Sequence, residues 1–179
     1  MALPHQPVNP REVLRTIYMA EIGIREATGR NDGERIAEYL RYCDLSPGYA
    51  WCAAFVSWCF GEAGYNEPRN PWSPALLPAS RTIWDSNGAM RSSAKTPLQG
   101  DVFGIYYRNL RRIGHAGFVD RWEDKHCITV EGNTEPDLAI DDESGPANPI
   151  RAGPTEGVYR KRRPIRTIHA VANWIDNPS

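Results

Sequence analysis

Residues 48–64 read GYAWCAAFVSWCFGEAG and decide how the chain folds. A turn signal, Ser46-Pro47-Gly48, precedes this run, and Gly64 ends it, so positions 50–63 have the length of one helix. A helix that is apolar on nearly all sides belongs in a core. We therefore expect a buried helix here, with the rest of the chain packed around it.

Two shorter helical patterns precede the apolar run. The first has apolar residues at helical spacing between positions 13 and 24, with a stop at Thr28-Gly29. The second begins at Asn31, whose spacing from Glu34 is that of a capping box. The N-terminal half of the chain is therefore predicted to be helical.

The second half carries short runs typical of strands, at 102–107, 116–122, 127–131, 158–161 and 169–174. Four prolines make residues 66–80 a predicted loop, packed on the surface through Trp72 and Leu76. Links between the strands are too short for parallel crossovers. The predicted fold class is α+β, with N-terminal helices packed on a mainly antiparallel sheet of five or six strands. Residues 1–179 are predicted to form a single domain, with 1–9 as a flexible tail.

The composition excludes several classes of partner. Lys and Arg number 21 against 22 Asp and Glu, so there is no overall basic field for nucleic acid or anionic membranes. The basic run 160–163 is predicted to be a solvated edge strand. No apolar stretch is long enough to span a membrane, and the first ten residues lack a secretory signal pattern. We expect a soluble monomer made in the cytoplasm.

Four cysteines stand at positions 43, 52, 59 and 127, without a pair spaced for zinc or a compact disulfide framework. Cys52 falls in the first turn of the predicted core helix, where free N–H groups and the helix dipole lower a thiol pKa. Position alone fits a nucleophile and a small buried hydrophobic residue equally well. Cys59 lies two turns further along and is predicted to be a packing residue, as are Cys43 and Cys127.

His115 gains a candidate partner from the geometry of a predicted hairpin. A tight turn near Asp124 joins two strands, so facing residues have numbers that sum to about 248. This register sets His115 opposite Asn133 and Gly117 opposite Glu131, with both polar partners on the face of His115. A carboxylate beside an imidazole holds its tautomer and stabilises the imidazolium. Cys52, His115 and Glu131 are therefore the predicted catalytic set, with Asn133 beside them.

Four motifs follow one another along the chain: WCAAFV at 51–56, GDV at 100–102, GHAGFV at 114–119 and VEGNT at 130–134. Together they resemble the CHAP family of cysteine, histidine-dependent amidohydrolases and peptidases, which is related to the NlpC/P60 cell-wall hydrolases. The resemblance extends from about residue 21 to residue 174. It is carried by the order of the four motifs and is far more specific than a single Cys or His.

The resemblance implies a papain-like fold and cleavage of bacterial peptidoglycan, either between N-acetylmuramic acid and L-alanine or within stem and cross-bridge peptides. Cys52, His115 and Glu131 match the family's triad, and Asn133 matches its further polar residue. Some members bind calcium in an N-terminal acidic loop. Residues 29–34 lack a full set of alternating oxygen ligands here, so we expect no metal and no cofactor.

Several functional alternatives remain open. Trp51 and Trp72 are candidates to stack on substrate, although tryptophans are more often core residues. The acidic segment 134–156 fits either a wall of the substrate cleft or a surface excursion. A papain-like acyltransferase or transglutaminase-type enzyme would use the same Cys and His. For a bacteriolytic enzyme such as an endolysin, action on the cell wall would follow release or delivery from the cytoplasm.

Overall fold

The computed structural model of the protein describes residues 8–88, 95–140 and 155–176. The helices in these ranges are α1 (Pro10–Ala20), α2 (Glu34–Tyr42) and α3 (Cys52–Glu62), with short 3-10 turns at Ser73–Leu76 and Ile165–Thr167. The strands are β1 (Thr82–Asp85), β2 (Val102–Tyr107), β3 (Arg112–Trp122), β4 (His126–Thr134), β5 (Gly157–Pro164) and β6 (Ala170–Ala172).

Helix α3 is the buried helix that the apolar run predicts. Eight of its eleven residues are buried, and Phe55 packs against the rings of Tyr39 and Phe118. The helix is slightly shorter than predicted, because Trp51 has φ −121° and ψ 8° and stays outside it as the N-cap. Cys52 is consequently the first residue of the helix.

The other two helices differ from their predicted ends. Helix α1 stops at Ala20, because residues 23–26 leave the helix and bond to β5, with the Gly23 N–H donating to the Val158 carbonyl. The predicted capping box is wrong: Asn31 has φ 55°, and Gly33 is the N-cap of α2 without a side-chain cap. Tertiary pairing therefore overrides the local helical pattern in this region.

The strands form a six-stranded sheet in the order β1-β6-β2-β3-β4-β5, and every pairing among them is antiparallel. The α+β prediction is confirmed. Sequence analysis missed β1, a four-residue edge strand whose residues are all half-buried and therefore show no alternation.

The two sheet faces carry separate cores. The larger core lies between the helices and one face, which contributes residues such as Phe118 and Val130. The smaller core covers the opposite face, with Phe103, Val119 and Cys127 at its centre. Since side chains alternate along a strand, His115 and Glu131 share the face of Val119 and Cys127.

The basic run on β5 corrects one prediction. Strand β5 is at the sheet edge, as expected, but Arg160 and Lys161 are buried, and Arg162 is the one exposed residue of the run. Arg160 pairs with Asp120, and Lys161 donates to Asp137. Residues 138–140 also bond to the outer side of β5. Burial of these cations against carboxylates replaces the predicted contact with water.

In the predicted loop, Leu76 is fully buried while Trp72 is 57% exposed.

Of the acidic segment 134–156, only 134–140 and 155–156 lie within the described residues, so Asp141, Asp142 and Glu143 lie outside them. The same holds for residues 1–7 of the predicted tail. Within the described ranges, no helix combines the length and apolar character needed to cross a membrane.

Candidate active site

Cys52 lies where the first turn of α3 meets the sheet. Its residue exposure is 5%, and its Sγ is 3.4 Å from the Ser73 hydroxyl oxygen. The thiol also interacts with the backbone N–H of Ala116 and with the side chain of His115. The first N–H groups of a helix have no partner within it. The sulfur is thus surrounded by donors that favour a negative charge.

His115 stands on β3 with an exposure of 4%, and its Nε2 is 2.9 Å from Glu131 Oε2. The observed pairs Phe118–Val130 and Val119–Thr129 have the predicted hairpin register. With Nε2 bound to the carboxylate, Nδ1 is the ring nitrogen left to meet the Cys52 thiol. The chain therefore brings Cys52, His115 and Glu131 into one continuous line of contacts.

Gly117 leaves the space that the Glu131 side chain occupies beside His115. A Cβ at Gly117 would lie 3.1 Å from Glu131 Cγ and 2.9 Å from the Val130 carbonyl oxygen. Both distances are shorter than ordinary van der Waals contact. A side chain at this position would displace Glu131 from the imidazole.

The thiol and the imidazole shift each other's pKa toward the charged forms. Burial alone would raise the pKa of Cys52, but the hydrogen bond and charge of His115 outweigh it and lower this pKa to about 7. Burial likewise opposes the imidazolium, yet contacts with Cys52 and Glu131 raise the pKa of His115 to about 9. A thiolate–imidazolium pair is therefore favoured near neutral pH, and it titrates as a pair.

Glu131 is fully buried and has every oxygen occupied. Burial opposes its charge, but His115 and Arg163 hold the pKa of this carboxyl far below its usual value. Thr129 donates to Oε1 at 2.5 Å, and Arg163 donates to both oxygens at 2.5 and 2.7 Å. Glu131 is thereby fixed as an acceptor for the His115 N–H.

Asn133 does not join the His115–Glu131 contact. A register shift follows Glu131, and Asn133 has φ 55°. Its Oδ1 accepts the Trp51 N–H at 2.8 Å, while its Nδ2 lies 3.1 Å from Asn31 Oδ1. Asn133 thus holds the backbone of Trp51, the N-cap residue directly before Cys52, from outside the helix.

The two predicted substrate-binding tryptophans have different environments. Trp51 is fully buried, its indole N–H donates to Glu26 at 2.9 Å, and its ring packs on Tyr39. This placement makes Trp51 a core residue and does not favour a substrate role. Trp72 is exposed and directly precedes Ser73, which contacts the Cys52 sulfur. Its ring is therefore available to a ligand near the thiol.

The other cysteines are buried free thiols, as Cys52 is. Burial raises the pKa of Cys43, Cys59 and Cys127 above the ordinary value, in contrast to Cys52. Only Cys52 therefore carries the electrostatic signature of a nucleophile. No group of three or more His, Cys, Asp or Glu residues within the described ranges is arranged to hold a metal ion.

Sequence reasoning missed three side chains that complete the site. Ser73 lies in the proline-rich loop, and only the tertiary fold brings it to the thiol. Thr129 was visible two residues before Glu131 on the same strand face, a spacing that could have identified it. Arg163 depends on the pairing of Cys127 with Arg163 between β4 and β5, which no hairpin turn predicts.

Comparison with known proteins adds one match. The family model described as CHAP domain matches residues 44–133, about half of the chain. This segment contains Cys52, His115, Glu131 and Asn133. No curated protein and no solved structure matches the chain.

Proposed function

Because the chain belongs to the CHAP domain family, we propose that it is a cysteine hydrolase cleaving an amide bond of bacterial peptidoglycan. The family membership supports an amidase or peptidase acting on peptidoglycan in general. The observation that carries the specific proposal is the buried line of contacts from Cys52 through His115 to Glu131. Such a nucleophile, base and orienting carboxylate are the parts that acyl transfer requires.

The proposed reaction begins with attack of the Cys52 thiolate on the amide carbonyl carbon. A C–S bond forms, and the C–N bond breaks as the protonated imidazole of His115 gives its proton to the leaving amine. The product of this half-reaction is a thioester on Cys52. His115 then takes a proton from water, and the resulting hydroxide attacks the thioester carbon to form a C–O bond. The C–S bond breaks, the carboxylic acid leaves, and the Cys52 thiolate and the protonated His115 are regenerated.

Charge on the carbonyl oxygen requires donors during both steps. The free N–H groups at the start of α3 are the proposed donors, because they lie beside the thiol and belong to a rigid, buried helix. Asn133 supports this arrangement by binding the Trp51 N–H, so that the turn entering the helix keeps one conformation.

The bond that is cut is proposed to lie either between N-acetylmuramic acid and L-alanine or within the stem and cross-bridge peptides. Trp72 is proposed to contact the substrate, since its ring is exposed next to Ser73. We place the site of action at the cell wall, which the enzyme would reach after release or delivery, as a bacteriolytic endolysin does.

Purified sacculi provide the test. Incubation with the wild-type protein is expected to lower turbidity and to release new free amines, whereas the variant Cys52→Ala releases none. Mass spectrometry of the released muropeptides identifies the bond from the new termini. Ligated products in place of new free amines would instead identify an acyltransferase, and an unchanged sacculus would contradict the proposal.

A further inference from the structure

Arg163 donates two hydrogen bonds to Glu131, the carboxylate that contacts His115 in the candidate site. Its guanidinium donates from Nε to Glu131 Oε1 at 2.5 Å and from Nη2 to Glu131 Oε2 at 2.7 Å. The side chain of Arg163 is 12% exposed and that of Glu131 is 0% exposed. This is a bidentate, buried, charge-assisted pair, the geometry in which a planar fork fixes a planar carboxylate.

The contacts on Glu131 divide between its two oxygens. Oε1 accepts from Thr129 and Arg163, and Oε2 accepts from His115 and Arg163. The carboxylate plane cannot rotate without breaking at least two of these bonds. Since the His115 contact is one of the four, the orientation of the imidazole depends on the guanidinium two strands away in the sheet.

The neighbouring arginine has a different environment. Arg162 is more than half exposed and pairs with Glu123 at 3.4 Å, away from the site. Arg163 therefore differs from it in partner and burial, although the two residues are adjacent on β5. The contrast indicates that Arg163 does more than make an edge strand soluble.

We propose that Arg163 is a positioning residue for the reaction, fixing the plane of the Glu131 carboxylate and keeping it ionised so that the transferable proton stays on His115. The inference rests on the proposed function, in which that proton passes to the leaving amine. Without the guanidinium, a fully buried carboxylate with fewer donors would take the proton from His115. Cys52 would then face a neutral imidazole and remain a thiol.

The charged and titratable groups around Glu131 come from several elements, and each of them influences the ionisation of its carboxyl group. They are Tyr107 on β2, His115 on β3, Cys127 on β4, and Lys161 and Arg163 on β5. Of these, His115 and Arg163 bond directly to the carboxylate. Removing Arg163 leaves His115 as the remaining charged group bonded to it.

The test measures the pH dependence of Cys52 alkylation by iodoacetamide, with the modified residue identified by peptide mass spectrometry. Arg163→Gln is expected to raise the alkylation midpoint by roughly one unit and to slow sacculus hydrolysis about 10- to 100-fold. Arg163→Lys keeps the charge but loses the fork, so an intermediate effect is expected. The matched control Arg162→Gln is expected to behave as the wild type.

A double-mutant cycle separates positioning from a general structural role. In a Glu131→Gln background, Arg163→Gln is expected to cause no further loss of rate, because Arg163 acts through that carboxylate. An equal loss in both backgrounds, or an unchanged alkylation midpoint in Arg163→Gln, would overturn the proposal. Thermal denaturation is recorded for each variant, and if Arg163→Gln does not fold, the alkylation midpoint of Arg163→Lys decides in its place.

Alkylation needs no peptidoglycan, so the two proposals can fail separately. If wild-type protein leaves sacculi intact while Arg163→Gln still shifts the midpoint, the proposed function is wrong and the role of Arg163 on the ion pair stands. If sacculi are hydrolysed and the alkylation midpoint of Arg163→Gln does not move, the proposed function stands and the role of Arg163 is wrong.

Discussion

Helix α3 holds two cysteines, Cys52 at its start and Cys59 in its second half, whose thiol pKa values shift in opposite directions. Cys52 begins the helix and Cys59 lies two turns further on, and both are almost completely buried. Burial raises the pKa of Cys59 well above its ordinary value, and the carboxylate of Glu21 adds to the effect. Burial opposes ionisation of Cys52 as well, but His115 reverses the outcome and brings its pKa to about 7. Desolvation therefore does not distinguish the two thiols, whereas position on the helix and the available partners do.

The surroundings of the two cysteines explain the difference in thiol pKa. At the first turn, polar groups converge from three other segments: Ser73 from a loop, His115 from β3 and Asn133 from β4. The second half of the helix instead packs in the large core, beside rings such as that of Tyr39. One helix is thus a core element along most of its length and carries the candidate active site at its start.

Exchanging each thiol for alanine should give the largest contrast. Cys52→Ala removes the proposed nucleophile and is expected to reduce sacculus hydrolysis by about 10⁴-fold or more. Cys59→Ala removes one buried atom, so we expect unchanged hydrolysis and a loss of about 1 kcal/mol in the free energy of unfolding. Turbidity assays and thermal denaturation measure the two effects. If a folded Cys59→Ala variant lost its activity, Cys59 would not be a packing residue alone.

Removing the imidazole of His115 should give the Cys52 thiol a raised pKa like that of Cys59. In His115→Ala the thiolate loses its main stabilising partner while burial remains, so the pKa of Cys52 should rise above its ordinary value. Hydrolysis is expected to fall about 10³-fold, within the range for loss of a general base. Iodoacetamide alkylation measured against pH reports the pKa. A midpoint that stays near that of the wild type would show that the helix start alone activates the thiol.

The pH profile of the wild type should show two limbs. Below about 7 the Cys52 thiol is protonated, so the hydrolysis rate should rise with pH through that value. Above about 9 the imidazolium of His115 loses the proton that it gives to the leaving amine in the proposed reaction, so the rate should fall. The two values belong to the coupled pair. A profile with only the acidic limb would show that protonation of the leaving amine does not limit the rate.

Asn133 offers a smaller test of how the reactive end is held. Asn133→Ala leaves the Trp51 N–H without its acceptor and is expected to lower stability by about 1 kcal/mol. Because the turn before Cys52 loses its anchor, hydrolysis should also fall, by about tenfold. Asn66→Ala, in an exposed loop position, is the matched control. Equal rates in the two variants would restrict Asn133 to a structural role.

The sequence predicts what depends on local pattern and fails where distant pairing decides. The apolar run predicts α3. The numbers of residues on either side of the hairpin turn near Asp124 predict the contact between His115 and Glu131. The hairpin register could not place Asn133, because a register shift after Glu131 redirects its side chain. The basic run around Arg163 predicts a solvated edge strand, because nothing in the local sequence reveals that β5 pairs with β4 and is covered on its outer side by residues 138–140.

The smallest expected effect on hydrolysis is that of removing the Ser73 hydroxyl, and Ser57 on α3 is its matched control. Ser73 is 3.4 Å from the Cys52 sulfur, whereas Ser57, on α3 itself, bonds to the backbone of Asn70 at 3.0 Å. Ser73→Ala removes one weak donor from the thiolate, so the alkylation midpoint should rise by a few tenths of a unit and hydrolysis should fall about threefold.

Ser57→Ala leaves two backbone groups of Asn70 without their partner and is expected to lower the free energy of unfolding by about 1–2 kcal/mol, with the alkylation midpoint unchanged. The two serines should thus separate reactivity from stability, as the two cysteines do. If Ser57→Ala shifted the midpoint as much as Ser73→Ala, the state of the thiol would depend on the packing of the whole helix and not on the groups gathered at its first turn.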